Sequence, residues 1–436
     1  MNITVIGCGR LGAPYAAGMA SLGHHVLGLD TDPTTLAACQ AGRAPFAEPG
    51  LQEIITEGAV SGRLRFTGDY TEAAEHGDVF FVAVPTPQAQ GAEHHDLSAV
   101  FAAVDSLARV LVRDSLVVIK SSVPAGTSAT VAARLAALVR PGVRVEVAAS
   151  PDFMREHHSI ADVRRPSRIV LGVQPGGNAE QILRELWAPC LDAGVPLVVT
   201  TLATAELCKL AANSFLATRI SFTNAVTSLA AAVGADPAGL LEVIGHDPRI
   251  GHSYLDRGLG FGGSCLSKDL RGAAALAERS GAAVTAGLLR WVDNVNQDRR
   301  HLAVALAREA AGGNLSGQRI AVWGASFKPG IDDVRDSPAL DVAVRLHRAG
   351  ALVVVHDPAA LGTARAEHPE LTYADNPVRA VDGAAVLLHL TGWPVYGDID
   401  PARLDSAAQP VLVDGRPGVL DHDRWCEAGW AVRDLQ

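Results

Sequence analysis

The sequence predicts an α/β protein with two doubly wound parallel sheets joined by a long central helical region. Three observations predict it. Short apolar runs alternate with Ala-rich helical stretches over the first third, the signature of strand–helix–strand units. A second series of the same kind starts at QRIAVWG, after the small, polar stretch AGGNLSG at 311–317. Between the two, residues 203–235 keep apolar residues at spacings of three and four, with no Pro or Gly until Gly234. The expected domains are 1–200, 201–312 and 313–436.

The chain has 436 residues, too many for one hydrophobic core. Its net charge of −10 disfavours nucleic acid or an anionic membrane as partner, so an anionic ligand must be met by local cations or helix N-termini. The six cysteines are scattered with no CxxC pair, which suggests neither a disulfide framework nor a zinc site. The N-terminus runs directly into MNITVIG, with no basic leader and no long apolar span. These features predict a reducing, cytoplasmic setting. The His pairs at 24–25, 94–95 and 157–158 are expected at the surface or in loops, with no metal.

Residues 2–6 (NITVI) read as a buried strand. GCGRLG follows at 7–12, then an Ala-rich helix, then HHVLGLD ending at Asp30. This is a G-x-G-x-x-G turn between strand and helix, with an acid about twenty residues on. Gly7, Gly9 and Gly12, with Arg10 and Leu11 between them, would bring a pyrophosphate to the helix N-terminus. Asp30 would accept the adenine-ribose hydroxyls and repel a 2′-phosphate, which favours NAD over NADP. The following strands are expected at 78–84, 115–120 and 145–150. Their carboxyl ends carry PTP (85–87), KSSVPAGT (120–127) and SPDFMRE (150–156), where such sheets bind ligands.

On the helix 203–235, Lys209 and Asn213 stand four apart and share a face. Downstream, GFGGSCLSKD (260–269) sets Cys265 in a glycine-rich turn, before Lys268 and Asp269. A buried structural cysteine would have apolar neighbours; this one has charged ones that favour a thiolate. The C-terminal series has no G-x-G-x-x-G. It carries ASFKPGIDDVRDSPAL (325–340) instead, which suggests a different nucleotide, with Lys328 and Arg335 offering charge to phosphates.

Taken together, GCGRLG, PTP, SSVPAGT, SPDFMRE, ELxKLxxNxFLATxISFxN, DPRIGxxYL, GFGGSCLSKD, FKPxxDDVRDSP and DGR (414–416) resemble the UDP-glucose/GDP-mannose dehydrogenase family from residue 1 to about 420. The resemblance implies two NAD-dependent oxidations of a nucleotide-sugar C6 alcohol, through a thiohemiacetal and a thioester on Cys265. It implies an oxyanion or base role for Lys209, with Asn213 on the same oxygens. Asp269 would position water or balance Lys209, Glu156 would serve as the hydrolytic base, and Ser122 and Asp152 would complete the polar cluster. Pro85, Thr86, Ser122, Glu156, Lys268 and Arg335 would line the cofactor. Phe153, Met154, Tyr254, Leu255, Gly262 and Lys328 would line the substrate, with the glycines letting the sugar lie against the backbone. Arg249 would reach the substrate of a partner subunit in a homodimer.

UDP-glucose is the expected substrate, with GDP-mannose, or binding without catalysis, as the alternatives. Two departures stand near the chemistry: Ser122 replaces the family's usual Thr, and Asp152 its usual Glu.

Overall fold

A computed structural model describes residues 1–404 and 410–435. It divides into two compact units, Met1–Ala212 and Asn213–Gln436. The first unit holds eight strands: β1 (Asn2–Ile6), β2 (His25–Leu29), β3 (Leu64–Thr67), β4 (Val79–Val82), β5 (Ser115–Ile119), β6 (Val145–Ala149), β7 (Ile169–Gly172) and β8 (Leu197–Thr200). They lie in the order β3-β2-β1-β4-β5-β6-β7-β8. Chain order reverses at β1 and β4, so the carboxyl ends of these two strands flank the crevice such sheets use for ligands.

Both faces of this sheet are covered, and alternate residues divide between them. Ile3, Val5, Val79 and Phe81 enter one core, while Ile6, Phe80 and Val82 enter the other. That is why the strands read as continuous apolar runs rather than as alternating ones.

The sheet is not parallel throughout. β6 meets β7 antiparallel at Ala149 and Gly172, and β8 runs with β7. The segment after β6 holds one short helix, Ser159–Arg164, which packs on the helix Gly12–Ser21 by setting Val163 against Gly18. It therefore supplies no covering crossover that would return the chain in the parallel sense.

The second unit carries six strands: β9 (Arg319–Trp323), β10 (Leu352–His356), β11 (Thr372–Tyr373), β12 (Val386–His389), β13 (Val411–Asp414) and β14 (Ala431–Asp434). They form an all-parallel sheet in the order β11-β10-β9-β12-β13-β14. Trp323 is fully buried in one of its cores and stacks on Tyr396 at 4.8 Å.

The expected long helix spans Leu202–Ala232 and joins the two sheet-bearing parts of the chain. Within the second unit its Ala217 packs with Phe261, Leu270, Leu289 and Val292. The last three lie on the helices Leu266–Arg279 and Ala283–Ala310. Of the histidine pairs expected at the surface or in loops, His24 and His95 lie in loops and are buried there. His24 earns its place through a 3.0 Å contact between Nε2 and the Leu186 carbonyl, and burial lowers its pKa. No described helix is long and apolar enough to cross a membrane.

Candidate active site

The first unit builds a dinucleotide cradle at the end of β1. Gly7 holds φ at +92°, and a Cβ on Gly12 would overlap the Gly7 carbonyl, so only glycine lets helix and turn close this tightly. The helix Gly12–Ser21 starts at Leu11 with no side chain capping it, so the positive end of its dipole faces the turn where an anion would lie. Arg10 lies 5.1 Å from the Phe46 ring centroid. Asp30 accepts the Cys8 N–H on one oxygen and the Asp32 N–H, at 2.8 Å, on the other. These bonds fix the carboxylate at the tip of β2, and each oxygen has lone-pair capacity left for a ribose hydroxyl. The cradle thus fits NAD. Cys8 and Cys208 belong to packing: burial pushes both thiols up.

The carboxyl ends of β4 and β5 are stitched to each other. Thr86 Oγ1 donates to the Ser122 carbonyl at 2.8 Å, and Ser121 Oγ donates to the Val84 carbonyl at 2.6 Å. Pro85 and Ser122 lie in these stitched turns, with Ser122 half-buried. The next helix, Thr127–Leu138, is capped from a distance: Glu206 accepts the Gly126 N–H at 2.7 Å and the Ser128 N–H. Glu206 therefore pins the start of the long helix to the end of β5. It lies in the ELCKL run, and its capping role was hidden because its partners are eighty residues away in sequence.

The loop after β6 holds Asp152, Phe153, Met154 and Glu156. Asp152 accepts the Met154 N–H at 2.6 Å, and its other oxygen pairs with Lys209 Nζ at 3.3 Å. Lys209 also stands 5.7 Å from the Phe153 ring centroid, while Arg168 covers that ring at 3.7 Å. Glu48 holds the far end of the loop by accepting the N–H groups of His157 and Ser159, each at 2.9 Å. Glu156 is half-buried within this loop.

The second unit builds the cysteine site. Cys265 is exposed and is the N-cap residue of the helix Leu266–Arg279, where free backbone N–H groups favour negative charge. One turn on, Asp269 is only 1% exposed. Its two oxygens accept from Asn213 Nδ2 and from Lys268 Nζ, both at 2.7 Å. Asn213, Asp269 and Lys268 thus form one hydrogen-bonded set at the start of the helix that presents the thiol.

The loop ahead of Cys265 is clamped from helices that the sequence reading passed over. Asn296 bonds both the N–H of Phe261, at 2.8 Å, and its carbonyl, at 3.0 Å. Asn224 accepts the Gly258 N–H at 2.9 Å, and Arg299 donates to the Gly258 carbonyl at 2.9 Å. Arg300 pairs with Asp336 at 3.0 Å and Asp341 at 3.3 Å. The signal for this clamp is NQDRR at 296–300, in which Asn296, Arg299 and Arg300 are all buried. Gly262 also makes room for the protein's own chain: a Cβ there would overlap the Asp336 carbonyl and Pro338.

The remaining predicted residues lie on loops of the same unit. Arg249 is highly exposed and pairs with Asp247 at 2.6 Å. Tyr254 takes a left-handed φ of +62°, and Leu255 is buried. Lys328 Nζ stands 5.7 Å from the Phe327 ring, and Arg335 pairs with the buried Asp333.

The second sheet has its own acid, Asp357, just after β10. Its Oδ2 accepts from the N–H groups of Ala325 and Ser326, from Ser326 Oγ and from Trp393 Nε1, at 2.8–3.1 Å. Its Oδ1 takes the amides of Ala359 and Ala360. Saturated in this way, Asp357 has little capacity for a ribose, in contrast to Asp30.

The family described as UDP-glucose/GDP-mannose dehydrogenase matches the chain in three parts: its NAD binding domain over 1–191, its central domain over 203–298 and its UDP binding domain over 321–422. A UDP-glucose 6-dehydrogenase from Rhizobium meliloti is 39% identical over 418 residues, 95% of each chain. The solved UDP-glucose dehydrogenase from Pyrobaculum islandicum is 37% identical with a TM-score of 0.90, covering 99% of this chain and 98% of its own. The solved GDP-mannose dehydrogenase from Pseudomonas aeruginosa is 26% identical with a TM-score of 0.54, covering 99% of each chain.

Proposed function

The chain belongs to the UDP-glucose/GDP-mannose dehydrogenase family, and on that premise we propose that it oxidises the C6 alcohol of UDP-glucose to the carboxylate of UDP-glucuronate. The balanced reaction consumes one alcohol, two NAD and one water, and yields one carboxylate, two NADH and three protons. The observation that carries this reading is the exposed Cys265 thiol at a helix N-terminus, one turn from the Asn213–Asp269–Lys268 set. NAD, held by the Gly7–Gly12 turn and Asp30, accepts one hydride in each oxidation.

Lys209 is the residue for the alcohol's proton, which it takes as the neutral amine; the buried ammonium that results is held by Asp152 and faces the developing oxyanion. Cys265 attacks the C6 aldehyde and keeps it bound as a thiohemiacetal. Loss of the second hydride leaves a thioester, and water releases the acid. Asn213 and Asp269 orient the groups on C6, and Glu156 takes the proton of the hydrolytic water. Ser122, Thr86, Pro85, Lys268 and Arg335 are assigned to the cofactor side. Phe153, Met154, Tyr254, Leu255, Gly262 and Lys328 are assigned to the substrate side. The likeness to UDP-glucose enzymes at 37–39% identity, against 26% for the GDP-mannose enzyme, supports UDP-glucose.

Limiting UDP-glucose with excess NAD is expected to give two NADH per sugar. One NADH per sugar would replace this reading with an alcohol dehydrogenase that stops at the aldehyde. Turnover on GDP-mannose alone would move the substrate, and none with either sugar would leave a binding protein.

A homodimer is supported by uncovered apolar side chains. Phe215, Phe222 and Leu229 recur every seven residues along the long helix, at 64%, 49% and 62% exposure. Val284, Leu288 and Trp291 form a second exposed stripe on the helix Ala283–Ala310. A second copy would cover these faces, and Arg249 would then lie within reach of the partner's substrate. Phe222→Asp is expected to convert a two-chain species to a single chain in light scattering. A wild-type protein that already runs as one chain would overturn the homodimer. The cytoplasm is the setting in which Cys265 stays a thiol.

A further inference from the structure

Lys120, the residue that follows β5, is buried with its ammonium inside the first unit. A lone buried ammonium is costly, so its surroundings matter. Its Nζ donates to the Pro151 carbonyl at 3.4 Å and faces two rings, Tyr15 at 4.7 Å and Trp187 at 5.9 Å. The carboxylate of Asp152 follows Pro151 directly and pairs with Lys209 on its other side. The Pro151–Asp152 step therefore meets two buried lysines, Lys120 through the Pro151 carbonyl and Lys209 through the Asp152 carboxylate. A methionine would fill the same volume as Lys120 without the desolvation cost, so the use of its charge must be sought in Asp152 and Lys209.

We propose that Lys120 is a positioning residue for the oxidation: its buried charge, acting beside Asp152, sets how firmly Lys209 holds its proton. The inference rests on the dehydrogenase reading and deepens it. The titratable groups that face Lys120 are Tyr15 from the helix Gly12–Ser21, Asp152 from the loop after β6, and Lys209 from the long helix. Glu206, one turn before Lys209, is committed to the amides of Gly126 and Ser128. Burial pushes the Lys120 ammonium down to about 8, Asp152 opposes that fall and Lys209 adds to it. The repulsion between the two lysines is mutual. A charged Lys120 makes Lys209 release its proton more readily, and a neutral one leaves Asp152 to hold Lys209 protonated.

The test is the pH profile of NAD reduction by the full chain with UDP-glucose. Lys120→Met removes the neighbouring cation, so the acid limb of kcat/KM is expected to move up by about one pH unit. The rate should then fall ~10-fold on the acid side and recover at alkaline pH, with NAD affinity within about two-fold of wild type. Lys120→Arg keeps a cation and is expected to keep the wild-type limb. Asp152→Asn removes the carboxylate that pairs with Lys209 and is expected to move the limb down, and Lys120→Gln, which keeps a hydrogen-bond donor for the Pro151 carbonyl without the charge, gives the same upward shift where Lys120→Met does not fold. An unmoved limb in folded Lys120→Met or Lys120→Gln, or an equal loss at every pH, overturns the proposal. A wild-type protein that reduces no NAD with either nucleotide sugar overturns the dehydrogenase reading itself, a separate result.

Discussion

Cys265→Ser is expected to abolish steady turnover while leaving a short burst of NADH. A serine hydroxyl is a far weaker nucleophile than a thiolate at neutral pH, and the helix N-terminus that favours a thiolate does little for an alcohol. Once formed, the oxygen ester hydrolyses more slowly than a thioester. The steady rate should drop by at least ~10³-fold, with no more than two NADH released per active site before the reaction stops. Mass spectrometry of the stopped protein should find the sugar acid covalently attached at residue 265. Because Cys265 is exposed and the exchange of sulfur for oxygen keeps the shape of its side chain, the thermal midpoint should stay within about 2 °C of wild type. Steady turnover near the wild-type rate would remove the covalent route.

Asp269→Asn is the second large effect, and it acts on stability and rate together. The carboxylate lies between the Asn213 amide and the Lys268 ammonium, at 2.7 Å from each. The substitution keeps the shape but leaves the Lys268 charge, which is 17% exposed, without its counter-ion. Breaking such a pair costs about 2–3 kcal/mol, near the lower end for buried pairs because Lys268 still touches water. The urea midpoint should fall accordingly at unchanged m. The Asn213 amide also loses its charged acceptor and with it the orientation proposed for it toward the C6 oxygens, so kcat is expected to fall ~10²-fold or more. Lys268→Met in the Asp269→Asn background should return part of the stability and none of the rate. Recovery of both would mean that the set supports the fold alone.

Much of the first unit could be read from the sequence because its signals are local. GCGRLG and Asp30 fix a turn, a helix start and a strand end within thirty residues, and the structure places them so. The long helix was expected at 203–235 and spans Leu202–Ala232, since nothing in that run breaks it. The reversal at β7 was not legible, because apolar strand patterns carry no direction. Asn296, Arg299 and Arg300 belong to no motif the sequence displays, yet they clamp the loop ahead of Cys265. Lys120 read as part of a turn motif, and only the closure of Tyr15, Trp187 and Pro151 around it makes it a buried charge. In each miss the deciding partner is distant in the chain.

The long helix also limits how this protein can change. Glu206, Lys209 and Asn213 lie within about 60° of one another around it, because each residue advances the spiral by about 100°. Loops elsewhere tolerate inserted or lost residues, since added length costs them little. A single residue gained or lost between 206 and 213 would swing Asn213 by about 100° relative to Glu206. Variation by length is therefore confined to the chain outside this segment, and within it the protein can drift only by substitution.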